Sequence, residues 1–230
     1  MNEKITCFLP CRKGSQRVLR KNIKPFAGAA FGLIEVKLKQ LLSSRLIDEV
    51  LLSTNDEEIM DYVDSLNEER LKVYQREEAL ASSETSTDQL VDYALSLIPQ
   101  GDILWTHVTS PFITGECYDE IIRCYQVKRK EGYDSLMTTT ELHGFLWQEG
   151  KPMNYDRQIE KWPRTQTLKP VHEVNSGVFL APAEVYKHQD DRIGQRPYLY
   201  TLDKLIGYDI DWPEDFVIAE CMAEKRLVVL

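Results

Sequence analysis

The feature that most constrains the fold is a unit that recurs through the first 140 residues: a short apolar run, a polar loop, then apolar residues at helical spacing. Ile5 to Pro10 is the first run. A basic, glycine-bearing loop follows it, and then Phe31 to Leu42, where Ile34, Leu38, Leu41 and Leu42 share one helical face. The unit returns at Glu49 to Ser53, after which Thr54 with Glu57 three residues on reads as a capping box for a helix faced by Ile59, Val63 and Leu66. Lys72 to Gln75 reads as a third strand. Beyond the polar stretch Ser82 to Thr87, a helix is predicted around Leu90, Tyr93, Ala94 and Leu97, then a strand at Ile103 to Val108. A helix capped by Thr114 runs to Lys130, and Ser135 to Thr140 reads as a further strand. Strands alternating with helices predict an α/β fold with helices packed around a mostly parallel sheet.

From Glu141 to Val174 no period holds, and three prolines and two tryptophans stand there, so this segment is expected to be a loop-rich or hairpin arm. Regular structure is predicted again at Ser176 to Leu180 (strand), Ala183 to His188 (helix) and Leu205 to Ile210 (strand). A last helix is opened by Pro213 and runs to Arg226. The 230 residues suffice for one core, and no repeat or linker divides them. Residues 1–230 are therefore expected to form one domain, with an arm at about 141–174.

Charge narrows the function. Lys and Arg number 28 against 37 Asp and Glu, a net −9, so a broad basic face for nucleic acid is excluded and any polyanion must be held locally. No apolar run is long enough to span a membrane, and Met1 to Pro10 carries Lys4 and no long apolar leader, so no membrane partner and a cytoplasmic location are expected. The five cysteines form no CxxC pair and read as reduced packing residues.

Against that acidic background, Arg12, Lys13, Arg17, Arg20 and Lys21 put five cations in ten residues just after the first strand. Open α/β sheets bind ligands at such carboxyl ends. Gly14 lets backbone amides turn toward a phosphate, and Arg12, Lys13 and Lys21 can neutralise a triphosphate. The GxxxxGK[ST] spacing of a Walker loop is absent, and charge alone fits a solvated basic loop as well. A second constellation is Asp209-Ile210-Asp211 before Trp212-Pro213-Glu214-Asp215. On a strand both carboxylates face one side and could hold Mg²⁺; alternatively Asp211 caps the helix. The histidines (His107, His143, His172, His188) have no metal spacing, and His107 stands at the end of a central strand. Trp147 and Trp162 fit either sugar stacking or contacts between protomers.

Taken together the motifs resemble the acylneuraminate cytidylyltransferase (CMP-sialic acid synthetase) family. They are Leu9-Pro-Cys-Arg12-Lys-Gly-Ser15-Gln-Arg-Val-Leu-Arg-Lys21-Asn22-Ile-Lys-Pro-Phe, Leu52-Ser-Thr-Asn-Asp-Glu-Glu58-Ile, Arg76 before Leu80-Ala-Ser82, Thr109-Ser-Pro111-Phe, Arg164-Thr-Gln166, Asn175-Ser-Gly-Val-Phe and Asp209-Ile-Asp211. Their order covers nearly the whole chain. The Lys-Asn-Ile-Lys-Pro-Phe run is more like the pseudaminic acid branch. The resemblance implies a Rossmann-like, three-layer α/β/α nucleotidyltransferase fold, similar to GT-A, and a homodimer built partly by the arm. It also implies a reaction: CTP plus a 2-keto-3-deoxy sugar acid gives CMP-sugar and pyrophosphate, as lipopolysaccharide or capsule synthesis requires. By position it implies that Leu9, Arg12, Lys13, Gly14, Ser15, Asn22, Arg76 and Ser82 meet the nucleotide, with Arg12 and Lys21 on the triphosphate. Asp209 and Asp211 would hold Mg²⁺ or Mn²⁺, and His107, Arg164, Gln166 and Asn175 would meet the sugar acid.

The chain departs from the family pattern at four places. Gln16 replaces a lysine, His107-Val108 replace Gln-Pro, Ser83-Glu84 replace Asp-Thr, and Ser176 replaces glycine. Two other readings compete: a GT-A glycosyltransferase, which also uses a D-x-D metal site, and a catalytically inactive nucleotide-binding relative.

Overall fold

The computed structural model describes residues 3–230. Its elements in chain order are β1 (Ile5–Pro10), α1 (Gly32–Ser43), β2 (Glu49–Thr54), α2 (Glu57–Leu66), β3 (Leu71–Gln75), α3 (Thr87–Leu97), β4 (Asp102–Thr106), α4 (Gly115–Lys130) and β5 (Ser135–Leu142). There follow β6 (Trp147–Gln148), β7 (Lys151–Pro152), β8 (Val171–Pro182), α5 (Ala183–Gln189), β9 (Pro197–Thr201) and α6 (Pro213–Glu224). Seven strands make one sheet in the order β3-β2-β1-β4-β8-β5-β9. β8 runs antiparallel to both its neighbours, β4 and β5, and every other pairing in that sheet is parallel.

The central strands carry short apolar runs, Cys7 to Pro10, Val50 to Leu52, Ile103 to Trp105 and Val178 to Pro182, because both of their faces are covered. Successive residues alternate between two cores. Cys7, Leu9, Val50, Leu52, Leu104, Val178 and Leu180 face α1, α2, α4 and α6, whereas Phe8, Leu51, Ile103, Trp105, Phe179 and Ala181 face α3 and α5. Each large apolar side chain removed from water in this way contributes roughly 1.5–3 kcal/mol.

From β1 the chain steps to β2 and β3 on one side, then returns to place β4 on the other. The crevice beyond the carboxyl ends of β1 and β4 is therefore the topological switch point, where open α/β sheets receive ligands.

Several elements differ from expectation. The cap of α2 is Asp56, whose carboxylate accepts from Glu58 N at 3.2 Å, while the Thr54 hydroxyl accepts from Asp56 N at 3.0 Å. Asp56 takes the role assigned to Thr54 because the strand runs through Thr54. Leu205 to Ile210 is not a strand. Asp203 turns the chain there, its carboxylate accepting from Leu205 N and its carbonyl from Gly207 N, both at 2.8 Å. The sheet edge is Pro197–Thr201 instead.

Past the sheet, β5 and β8 go on pairing with each other as a two-stranded ribbon, Thr140 with Glu173 and Leu142 with Val171. The arm hangs from its tip. Asn154 ties that arm shut, donating to the carbonyls of Gly144 at 2.8 Å and Lys169 at 3.0 Å. Phe145 meets Tyr155 and Trp162 edge-on, at 5.3 and 5.2 Å between ring centroids, which gives the arm an aromatic core of its own.

Candidate active site

Three segments converge on the switch point, and backbone hydrogen bonds tie them to the sheet ends. Cys11 N donates to Ser53 O at 2.9 Å, Arg76 N to Thr54 O at 2.7 Å, and Ile210 N to Thr109 O at 2.9 Å. The loop after β1 is folded on itself. Asn22 Nδ2 donates to Arg12 O at 3.0 Å, Lys13 N to Asn55 Oδ1 at 2.8 Å, and Gly14 sits at φ +80°, a left-handed conformation that glycine adopts without penalty.

Between this loop and the end of β4 lies a cavity of about 400 Å³. Arg12, Ser15, Gln16, Arg17, Lys21 and Asn22 line one side of it, His107, Val108 and Thr109 the other, and Ser83 also borders it. Arg12 makes one weak internal bond, to Gly14 O at 3.3 Å. Lys21 is 9% exposed and anchored, its Nζ donating to Ile210 O at 2.7 Å. Burial lowers its pKa, against the opposing pull of Asp211 and Asp209.

A second cavity, about 450 Å³, opens beside the first and is lined by Asn175, Ser176, Lys204, Tyr208, Asp209, Asp211 and Asp215 among others. Its wall is a bulge in β8. Met137 pairs with Phe179 and Thr139 with Val174, so four residues of β8 stand against Thr138 alone. The bulge is held by hydroxyls. Thr138 Oγ1 donates to Asn175 Oδ1 at 2.7 Å and accepts from Val178 N at 2.8 Å, while Asn175 Nδ2 donates to Thr140 Oγ1 at 3.0 Å. Ser176 takes φ +56° within the bulge, a left-handed conformation that glycine adopts more easily than a residue with a side chain.

Asp209 and Asp211 both reach this cavity, from the irregular stretch between the turn at 204–207 and α6 and not from a strand. Asp211 does not cap α6. Asp215 Oδ2 does so, accepting from Trp212 N at 2.7 Å and Asp211 N at 3.0 Å. Burial raises the Asp209 pKa, the neighbouring Asp211 adds to the shift, and a hydrogen bond from Thr109 opposes it. Its Oδ1 is buried without a hydrogen-bond partner. A partnerless buried carboxylate oxygen next to a second carboxylate is the donor chemistry that a hard divalent cation takes. Among the described residues no group of three or more His, Cys, Asp or Glu converges as a metal cluster.

The two cavities meet where Arg17 Nη2 contacts Asp211 Oδ1 and Lys21 Nζ stands 3.9 Å from the same oxygen. Other positions singled out in the sequence lie elsewhere. Leu9 is fully buried in the core beneath the loop. Arg76 is also buried and bonds Ser53, Nε to Oγ at 3.0 Å and Nη2 to O at 2.7 Å, so it braces β2 and lines neither cavity. Ser82 faces solvent and bonds Glu84 N, whereas Ser83 borders the first cavity. Lys13 and Gly14 are exposed on the loop. His107 falls with the basic loop and not with Asn175, while Arg164 and Gln166 are exposed in the arm and line neither cavity.

Residues 6–230 match a protein family described as Cytidylyltransferase. The chain is 23% identical over 224 residues to a pseudaminic acid cytidylyltransferase of Campylobacter jejuni, covering 94% of each. It is 24% identical over 234 residues to an N-acylneuraminate cytidylyltransferase of Escherichia coli, covering 98% of this chain and 54% of that one. Among solved structures it superposes on a CMP:2-keto-3-deoxy-manno-octonic acid synthetase complexed with CTP (TM-score 0.66, 13% identity, 97% and 99% covered). It also superposes on a 4-diphosphocytidyl-2C-methyl-D-erythritol synthase from Anaerococcus prevotii (TM-score 0.68, 14% identity, 96% of each chain covered). At these identities the two structures establish a shared fold.

Proposed function

The chain belongs to the cytidylyltransferase family, and from that premise we propose that it couples CTP to a 2-keto-3-deoxy sugar acid of the nonulosonic kind, releasing pyrophosphate. The observation that carries this reading is the pair of adjoining cavities, one lined by the basic loop and the other by Asp209 and Asp211. The named relatives act on sugar acids of this class.

In this reading the triphosphate lies in the first cavity, where Arg12, Lys21 and the amides around Gly14 and Ser15 balance its charge and Asn22 fixes the loop beneath it. The sugar acid enters the second cavity against the Asn175–Ser176 bulge. Asp209 and Asp211 would hold Mg²⁺ or Mn²⁺, which when bound offsets charge at the reacting phosphate. The chain's own contribution is alignment: it sets the sugar hydroxyl in line with the α-phosphorus and the departing pyrophosphate. Lys21 spans the junction and can follow the negative charge as it moves to the leaving group. Arg76 acts from beneath, holding the end of β2. Arg164 and Gln166 contact the acid's carboxylate if the arm reaches a site, and a homodimer formed partly through the exposed Trp147 and Trp162 would place arms near neighbouring protomers. Among the described residues no helix is long and apolar enough to cross a membrane. The cytoplasm is the compartment proposed for the reaction.

The test is pyrophosphate release from CTP and Mg²⁺ with a panel of nonulosonic acids and no acceptor glycan. Release that needs both CTP and one of the acids is expected. Nucleotide binding without release on any acid would favour an inactive relative.

A further inference from the structure

Trp105 and His107 are two residues apart at the end of β4, so their side chains leave the chain on the same side. Trp105 Nε1 stands 3.1 Å from His107 Nε2. An indole N–H can only donate, so Nε2 must be the unprotonated nitrogen of the imidazole, and a neutral ring then carries its proton on Nδ1. The donor is itself held rigidly. Trp105 is 1% exposed, Phe8 meets it edge-on at 4.8 Å between centroids, and the Arg192 guanidinium packs 5.0 Å from its ring and 3.6 Å from that of Phe179. Burial, followed by the nearby cations Arg192, Lys37, Lys21 and Arg76, pushes His107 down to about 3. His107 lines the first cavity, and among the described residues its Nδ1 has no hydrogen-bond partner.

We infer that Trp105 locks His107 as the Nδ1–H tautomer, which makes His107 a fixed hydrogen-bond donor to an acceptor oxygen of the nucleotide in the first cavity and not a proton-transfer group. Trp105 is the positioning residue. The identity of the ligand rests on the reading given under Proposed function; the tautomer does not. A group that only donates gains nothing from this side of the cavity, so His107 contributes to ligand choice through the polarity of one bond.

The full chain labelled with [15N]histidine tests the first half, with His107→Gln assigning the signal among four histidines. The expected spectrum has a pyridine-type Nε2 and a pyrrole-type Nδ1. Trp105→Phe keeps the aromatic packing but removes the donor, so the two shifts should move toward an average. Calorimetry with cytidine, CMP and CTP tests the second half. His107→Ala should weaken binding about tenfold, and His107→Gln about threefold or less because an amide keeps a donor. An equal loss on all three ligands locates the acceptor on base or ribose, and a loss confined to CMP and CTP locates it on a phosphate. A wild-type ring that is charged or protonated on Nε2, or His107→Ala binding all three ligands as wild type does, overturns the proposal. If Trp105→Phe does not fold, the wild-type spectrum and the His107 variants still decide. Absent pyrophosphate release with the expected tautomer and nucleotide affinities would sink the transfer reaction and leave this inference standing.

Discussion

Arg17 closes the junction between the two cavities by placing Nη2 2.9 Å from Asp211 Oδ1, a contact between residues 194 positions apart in the chain. Its guanidinium also lies 5.0 Å over the Trp212 ring. Both partners are 46% exposed, so the pair itself adds only about 0–1 kcal/mol to stability. Its greater effect is competition, because an oxygen engaged by a guanidinium is less available to a metal. Arg17→Ala should therefore tighten Mn²⁺ binding to the nucleotide-free protein several-fold, read by electron paramagnetic resonance of free Mn²⁺. Unchanged or weaker binding would remove Asp211 from the proposed metal site.

Asp209→Asn and Asp211→Asn each replace a carboxylate with an amide of the same size. Asp209 already pays for its burial, so neither change should lower the melting temperature by more than a few degrees. Pyrophosphate release should fall by at least about a hundredfold in each. Near wild-type rates in both would take the pair out of the reaction.

Arg12 and Lys21 differ in what they hold up. Arg12 has one long bond to Gly14 O at 3.3 Å, so Arg12→Ala should leave stability unchanged and weaken CTP more than CMP, by titration calorimetry. Lys21 is anchored on Ile210 O at 2.7 Å, so Lys21→Ala should cost stability as well as CTP affinity. Equal losses of CTP and CMP for Arg12→Ala would place that side chain away from the β and γ phosphates.

Ser176 sits at φ +56°, where a side chain is strained. Ser176→Gly should relieve that strain and, after the extra freedom given to the unfolded chain, raise stability by about 0.5–1 kcal/mol in urea titrations. A destabilised variant would mean that the Ser176 hydroxyl supports the bulge.

Lys37 gives a pH signature. It is fully buried on α1, donating to Ser110 O at 2.7 Å and Tyr118 Oη at 2.8 Å, and burial lowers its pKa from 10.5 to about 7. Between those two values only the unfolded chain keeps the proton, so wild-type stability rises with pH across that window and loses this gain as pH falls through 7. Relative to Lys37→Met, which cannot titrate, wild type should gain about 2 kcal/mol between pH 7 and 9. Parallel pH profiles in urea would show that Lys37 remains charged.

The central sheet was legible because burial on both faces writes itself as short apolar runs such as Cys7 to Pro10 and Val50 to Leu52. The edge strand Pro197–Thr201 was missed although Tyr198, Leu199 and Tyr200 form a short run; its residues are only partly covered, and Leu205 to Ile210 imitates a strand until Asp203 and Gly207 turn it. The loop after β1 announced itself by charge density, and Arg12, Ser15, Lys21 and Asn22 do line one cavity together. The side-by-side Asp209 and Asp211 were legible as a pair but not as residues of an irregular stretch outside the sheet. Nothing local to Arg17, Asn175 or Arg76 tells that the first spans two cavities, the second is bonded to Thr138 and Thr140, and the third braces Ser53, because each partner comes from a distant element.

The ribbon of β5 and β8 closes before residues 143–170 begin, with Leu142 opposite Val171. The chain thus leaves and re-enters the domain at one point, and none of those residues supplies a strand to the seven-stranded sheet. The arm is a cassette. It can lengthen, shorten or be exchanged at the ribbon tip while every strand of the sheet keeps its partner, so the surface it presents can diversify without renegotiating the sheet.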